Sequence, residues 1–294
     1  MNQTPAVVVG VDGGRTDESA LIWAVRHAAR TGRRLVAVHA SEPEALAAQA
    51  VGAGAAGVEA LLDSERERVD DLRRRVEELG VASGVSATLA SHRGSPLRAL
   101  LEHQDEAGII VVGTGRKGAI AEWVLGSTSI GVAAHATCPV AVINPEVQVD
   151  RLTHGRIGVA VDGSADSRAG ARSAVEYADR VGCAVVLVST WFLEMVDGYV
   201  VTEPDSPEWA ELVGRRTEML EEVAREITAD HPQVRVEVQV HRGPTVATIV
   251  GLAQEWDAVV AGSRGLGTFQ GRLLGSVSQR LMRAAPCPVV VVTR

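Results

Sequence analysis

Apolar residues recur along this chain in two alternating rhythms. Runs such as "AVVVG" (6–10), "RIGVAVD" (156–162) and "DAVVAG" (257–262) are nearly continuous, as in strands buried on both faces. Between the runs, apolar positions three or four apart predict helices. In the C-terminal half, Ala169, Ala174 and Ala178 predict a helix that ends at Gly182, since glycine readily takes the left-handed C-cap conformation. "AVVLVST" (184–190) predicts a second strand. Trp209, Leu212, Val213, Leu220, Val223 and Ile227 then mark a long amphipathic helix. "VRVEVQV" (234–240) alternates apolar with polar, so this strand has one less-buried face. "TVATIVGLAQ" (245–254) reads as a short helix and "DAVVAG" as a fourth strand. "SVSQRLMRAA" (276–285) is the last helix and "PVVVVT" (288–293) the last strand.

The N-terminal half repeats this order. "VVVGVDGG" (7–14) returns as "IGVAVDGS" (157–164), and "HRG" (92–94) returns at 241–243. "GTGRKGAIAEWVLGSTS" (113–129) aligns without gaps on "GSRGLGTFQGRLLGSVS" (262–278), and "ATCPVAVI" (136–143) matches "APCPVVVV" (285–292). Four islands in one order, displaced by 150 and then 149 positions, imply two homologous domains. We place them at residues 1–146 and 156–294, with 147–155 as linker. The long helix of the first domain is expected over 58–79, behind a small-residue loop at 44–57. Its charge run reads as a solvated helix face.

Strands alternating with helices imply an α/β fold with a parallel sheet covered on both faces. Ligands of such sheets sit at the carboxyl ends of the strands, where strand order reverses. That rule selects the loops after strands one and four, which carry "DGG", "DGS" and the two glycine-serine stretches.

The stretch 262–278 fits G-x2-G-x9-G-S through Gly262, Gly265, Gly275 and Ser276. Glycine at the end of strand four allows positive φ and close approach of backbone N–H groups to a ligand. Ser276 is a candidate N-cap, and the free N–H groups of the helix's first turn favour an anion. A flexible loop followed by an ordinary N-cap also fits these residues, although its repetition in the other half favours a pocket for a polyphosphate. No Gly-Lys-Ser/Thr follows, so this is not a Walker loop. Asp12 and Asp162 fit two roles, capping of the Asp-Gly turn or contact with a ligand.

Composition narrows the partners. The chain has 294 residues, 46% of them hydrophobic, and a formal net charge of −8. The charge argues against a nucleic-acid surface. No apolar run approaches the roughly 20 residues of a membrane span. The start has no signal-peptide pattern, and three cysteines make no disulfide framework. A reduced, cytoplasmic protein is expected. Cys138, Cys183 and Cys287 read as small core residues. His92 and His241, in the "HRG" repeats, have no second His or Cys at metal-ligand spacing, so hydrogen bonding within the loop is expected. Arg93 and Arg242 fit phosphate contact and solvent exposure equally. No metal site and no catalytic residue is assigned.

These motifs together resemble the universal stress proteins in their tandem two-domain form. The resemblance rests on "GVDGG" and "AVDGS", on the glycine-serine stretches and on "CPV" before each last strand. It covers nearly the whole chain and is greatest for the ATP-binding branch, which carries G-x2-G-x9-G-S/T. It implies two tandem Rossmann-like, adenine-nucleotide-binding α/β sandwich domains, each with five parallel strands in the order 3-2-1-4-5. The implied cofactor is ATP, with or without Mg2+. By resemblance, Asp162 contacts adenine or ribose, Ala160 leaves room beside it, and Val188 flanks the adenine. Gly262, Arg264 and Gly265 meet ribose and phosphates, and Gly275, Ser276, Val277 and Ser278 hold the phosphate tail. The matching positions in the first domain are Gly10, Asp12, Val38, Gly113, Gly126, Ser127, Thr128 and Ser129. That domain departs from the pattern at Arg116, which stands in the place of Gly265.

The function so implied is a stress-response regulator that senses or signals through bound nucleotide, with little or no hydrolysis and an unidentified protein partner. The two halves are expected to pack as a pseudo-dimer through their last strands, with a homodimer as the other assembly. An enzyme of the ATP-pyrophosphatase type is a second class, but "DGGRTDES" and "DGSADS" lack its Ser-Gly-Gly core. A nucleotide-free protein-interaction module is a third, against which the intact motif of the second half argues.

Overall fold

The fold is taken from a computed structural model of the chain. The structure describes residues 4–14, 18–41, 54–115, 125–147, 149, 153–192, 195–196, 199–200, 206–266 and 274–294. Arg116, most of the 44–57 loop and part of the 147–155 linker lie outside the described residues. The chain divides into two compact units, Met1–Pro145 and Glu146–Arg294.

The first unit runs β1 (Ala6–Gly10), α1 (Glu18–Thr31), β2 (Leu35–Ser41), α2 (Gly54–Ser83), β3 (Ala87–Arg93), α3 (Pro96–Glu102), β4 (Ala107–Gly113), α4 (Ser127–His135) and β5 (Val140–Ile143). Its strands are all parallel and ordered β3-β2-β1-β4-β5. The second unit runs β6 (Arg156–Ala160), α5 (Ala165–Val181) and β7 (Ala184–Trp191). A two-strand hairpin, β8 (Met195–Val196) with β9 (Tyr199–Val200), follows. Then come α6 (Pro207–Thr228), β10 (Val236–Arg242), α7 (Thr245–Leu252), β11 (Ala258–Gly262), α8 (Ser276–Ala284) and β12 (Val289–Val292). Its parallel strands are ordered β10-β7-β6-β11-β12. Each unit thus has the strand order 3-2-1-4-5 that the resemblance implies.

The nearly continuous apolar runs are the buried strands. Val7, Val8 and Val9 of β1 and Val289 to Val292 of β12 are buried. The alternating β10 and β3 lie at sheet edges and stay partly exposed along their length. Helix α5 begins at Ser164, whose hydroxyl oxygen accepts the N–H of Ser167 at 3.2 Å. It ends at Gly182 with φ 72°, as the left-handed C-cap argument requires. Helix α2 is longer than the 58–79 expected, adding a turn at each end.

In the second unit one indole shapes the central strand. A Cβ on Gly158 of β6 would lie 2.0 Å from the ring of Trp256, which is buried just ahead of β11. Glycine is needed there for space, because no side chain fits under the ring.

Candidate functional site

In both units the strand order reverses between β1 and β4, or between β6 and β11, so the loops leaving those strands flank one crevice. In the second unit Ala160 is in register with Val188 on one side and Ala261 on the other. These small and branched residues form the floor of a cavity of about 400 Å3, within the range of small-molecule sites. All ten residues singled out in this half by resemblance line it: Ala160, Asp162, Val188, Gly262, Arg264, Gly265, Gly275, Ser276, Val277 and Ser278.

Asp162 closes the turn after β6. Its Oδ1 accepts the N–H of Ser164 at 2.9 Å, and its Oδ2 accepts that of Leu266 at 3.1 Å. Burial pushes its carboxyl up, but hydrogen bonds from Ser164, Leu266 and Ser167 outweigh burial and hold it below the usual carboxylate range. Gly163 follows with φ 88°, a conformation glycine adopts without strain. In the first unit Asp12 Oδ1 likewise accepts the N–H of Gly14, at 2.6 Å, with Gly13 at φ 81°. The capping role of both aspartates is therefore realised.

The glycines of the motif serve a different purpose from the one expected. Neither Gly262 nor Gly265 has a positive φ. A Cβ on Gly262 would stand 2.8 Å from the backbone of Asp166 and Ser167, and one on Gly265 would stand 2.6 Å from Asp162 Oδ2. Both are glycine because the loop presses against this segment, Gly262 on the start of α5 and Gly265 on the Asp162 turn before it. Gly275, and not Ser276, is the N-cap of α8, with extended backbone (φ −62°, ψ 148°) and no side-chain cap. Ser276 is the first helical residue, so the N–H groups of Ser276, Val277 and Ser278 have no intrahelical partner and border the cavity. The Ser278 hydroxyl donates to the Gly262 carbonyl at 2.6 Å, tying α8 to the end of β11. Ser129 does the same to Gly113 at 2.7 Å.

Several residues at the site carry no signal in the motif. Asp166 is buried; its Oδ2 accepts from the Ser263 hydroxyl at 2.9 Å and from Arg264 Nε at 3.1 Å. Thr190 donates to the Thr245 hydroxyl at 2.8 Å, and both line the cavity with Ile249 and Arg216. Arg216 reaches in from α6 and donates to Ser189 Oγ at 3.1 Å. Only the fold brings α6 to this edge. Arg242, a candidate phosphate contact, instead stacks over Trp209 and Trp191, at 4.9 and 5.5 Å from the ring centres.

The first unit's cavity is smaller, about 220 Å3, and Leu100 of α3 lies against it. Gly10, Asp12, Val38, Gly113, Gly126, Thr128 and Ser129 line it, whereas Ser127 is exposed outside the lining. In the place of Ser189 stands buried His39. Its Nδ1 lies 3.0 Å from the Val11 carbonyl and its Nε2 3.0 Å from Glu65 of α2. Both partners are acceptors. Arg68 bonds Glu65 and also donates to the Asp12 carbonyl at 3.3 Å. Burial pushes the Glu65 carboxyl up, yet the bonds from His39 and Arg68 prevail and hold it low. The two units therefore differ beside their cavities: a hydrogen-bonded His39-Glu65-Arg68 set stands behind the turn of Asp12 in the first, and Arg216 on Ser189 lines the cavity of the second.

Of the three cysteines expected in the core, Cys287 is buried, whereas Cys138 and Cys183 are half-buried. Burial pushes the Cys287 thiol up to about 12 and that of Cys138 up to about 11. His241 Nε2 lies 3.0 Å from Gln239 Oε1. His92 does not bond within its loop; its Nε2 meets Nε2 of His103 at 3.0 Å. Among the described residues no helix is long and apolar enough to cross a membrane.

Comparison with known proteins agrees with this architecture. The sequence model of the universal stress protein family matches twice, at residues 4–144 and 153–293. A universal stress protein of Mycolicibacterium smegmatis is 28% identical over 287 residues, covering 97% of this chain and 96% of that protein. One from Mycobacterium tuberculosis is 29% identical over 301 residues, covering 99% and 97%. Among solved structures, a universal stress protein from Archaeoglobus fulgidus superposes with a TM-score of 0.70 at 20% identity, covering 99% of each chain. A tandem match of the family sequence model over almost the whole chain, on two units of the same strand order, decides the question: this chain is a tandem member of the universal stress protein family.

Proposed function

We propose that the second unit binds ATP and that the protein acts as a nucleotide-dependent regulator with little or no turnover. The observation that carries this reading is the cavity of about 400 Å3 in which the backbone donors of α8's first turn face a glycine loop pressed against Asp162. Helix N-termini and closely approaching backbone favour phosphate. Val188 and Ile249 offer an apolar wall for a base, and Asp162 offers acceptors for a ribose or base edge. The first unit carries the same plan in a smaller cavity and is the weaker binder. Mg2+ accompanying the nucleotide would rest on phosphate oxygens and water.

The same geometry argues against fast hydrolysis. An acid held low by its hydrogen bonds is a poor general base, and Arg264 is already paired with Asp166. Backbone donors bind ground state and transition state about equally, which does not accelerate chemistry.

Mass spectrometry of small molecules released from purified protein should find an adenine nucleotide. Gly265→Glu, whose Cβ alone would lie 2.6 Å from Asp162 Oδ2 and whose carboxylate adds negative charge to the loop, should weaken ATP binding. Unchanged ATP affinity in a folded Gly265→Glu, Gly275→Asp variant would overturn the assignment. Steady-state ATP hydrolysis should stay below about 1 s⁻¹, under the range of kinases. Faster turnover that Asp162→Ala abolishes, with binding retained, would establish an enzyme instead.

A further inference from the structure

A second site lies in the first unit, outside its cavity. His92, at the end of β3, and His103, just past α3, bring their Nε2 atoms to 3.0 Å. Each ring turns its other nitrogen to a carboxylate. His103 Nδ1 lies 2.5 Å from Glu106 Oε1, and His92 Nδ1 lies 3.5 Å from Glu102 Oε2. Glu106 also pairs with Arg34. The contact of His103 Nδ1 with this Arg34-paired acceptor places the ring's N–H on Nδ1. That leaves the His103 Nε2 lone pair aimed at His92.

We propose that this pair is a binding site for one borderline divalent transition-metal ion, of the Zn2+ or Cu2+ kind, taken by the two Nε2 atoms. Imidazole is the preferred ligand of such ions. Two metal–nitrogen bonds of 2.0–2.1 Å at angles between 90° and tetrahedral place their nitrogens about 2.8–3.4 Å apart, which brackets the observed separation. A carboxylate on the far nitrogen of each ligating histidine is the usual outer support of such a site, since it fixes the tautomer and raises ligand basicity. The rings are partly open, with side-chain exposures of 26% for His92 and 16% for His103, so water completes the coordination. Binding displaces the proton that bridges the two nitrogens. Among the described residues no group of three or more His, Cys, Asp or Glu is placed to hold a metal; this is a two-histidine site. It has no counterpart in the second unit, where Leu252 stands in the place of His103.

The site would clamp β3 to the end of α3, the helix that carries Leu100 to the first unit's cavity. The test is calorimetric titration of the full, untagged chain with ZnCl2, with folding checked by circular dichroism. One equivalent should bind. His92→Ala and His103→Ala should each weaken that binding at least tenfold, Glu106→Gln by about 10–100-fold, and His241→Ala not at all. Unchanged affinity and stoichiometry in a folded His92→Ala, His103→Ala variant would overturn the site and assign the binding elsewhere on the chain.

Discussion

Asp162 and Leu266 lie 104 positions apart and are joined by a 3.1 Å hydrogen bond, from the Leu266 N–H to Asp162 Oδ2. The bond ties the turn after β6 to the loop after β11. The second unit's cavity therefore depends on one carboxylate that serves both of its rims.

Replacing Asp162 by Asn removes one acceptor and sets an amide N–H against a backbone N–H. The loss should be about 1–3 kcal/mol in the second unit. The sign of its pH dependence follows from the low carboxyl. A depressed acid contributes stability that is complete above the ordinary carboxylate range and lost as pH falls through its lowered folded value. Thermal unfolding should thus show a constant gap between wild type and Asp162→Asn above about pH 5, closing below about pH 4. A gap that widens in acid contradicts the assignment.

Two glycines of the second unit should respond oppositely to alanine. At Gly262 the new methyl meets the backbone of Asp166 and Ser167 at 2.8 Å, which α5 cannot yield without shifting. A destabilisation of about 1–3 kcal/mol is expected, as for other overpacked cores. Gly214 sits inside α6, and an alanine methyl there would have nothing within 4 Å. Alanine at 214 should stabilise by about 0.5–1 kcal/mol. Denaturant unfolding of the two variants distinguishes them by sign.

The thiols of Cys138 and Cys287, raised by burial to about 11 and about 12, should resist alkylation in the folded protein. At pH 8 a thiol of pKa about 12 is ionised in only about one molecule in ten thousand, and the thiolate is the reactive form. Mass spectrometry after treatment with iodoacetamide should find Cys287 unmodified until denaturant is added. Rapid labelling in native buffer would show that the last strand opens readily.

Strand and helix order was legible because apolar spacing encodes it directly, and Gly182 and Ser164 stand where helix-end chemistry requires them. The glycine motif located the cavity, but its physical reason was hidden. Positive φ is a local property that a sequence suggests, whereas the approach of Asp166 to Gly262 exists only once α5 lies beside β11. Arg216 and the Thr190–Thr245 pair were out of reach for the same reason, since α6 and α7 meet the cavity through packing and carry no motif. Ser276 misled as a cap because the neighbouring Gly275 already takes the extended conformation that starts α8. His103 escaped notice because it is separated from His92 by a whole short helix.

The Gly158–Trp256 contact has a further consequence for the repeat. At the matching positions of the first unit stand Val8 and Ala107, a larger residue on the central strand and a far smaller one at the start of β4. The bulk thus stands on the central strand in the first unit and on the residue that covers it in the second. Neither solution tolerates half of the other: valine at 158 meets the indole, and alanine at 256 leaves a hole. Segments therefore cannot be exchanged between the copies one strand at a time, although the two share an ancestor and a topology. The second unit's central strand fits only where glycine leaves room for that indole.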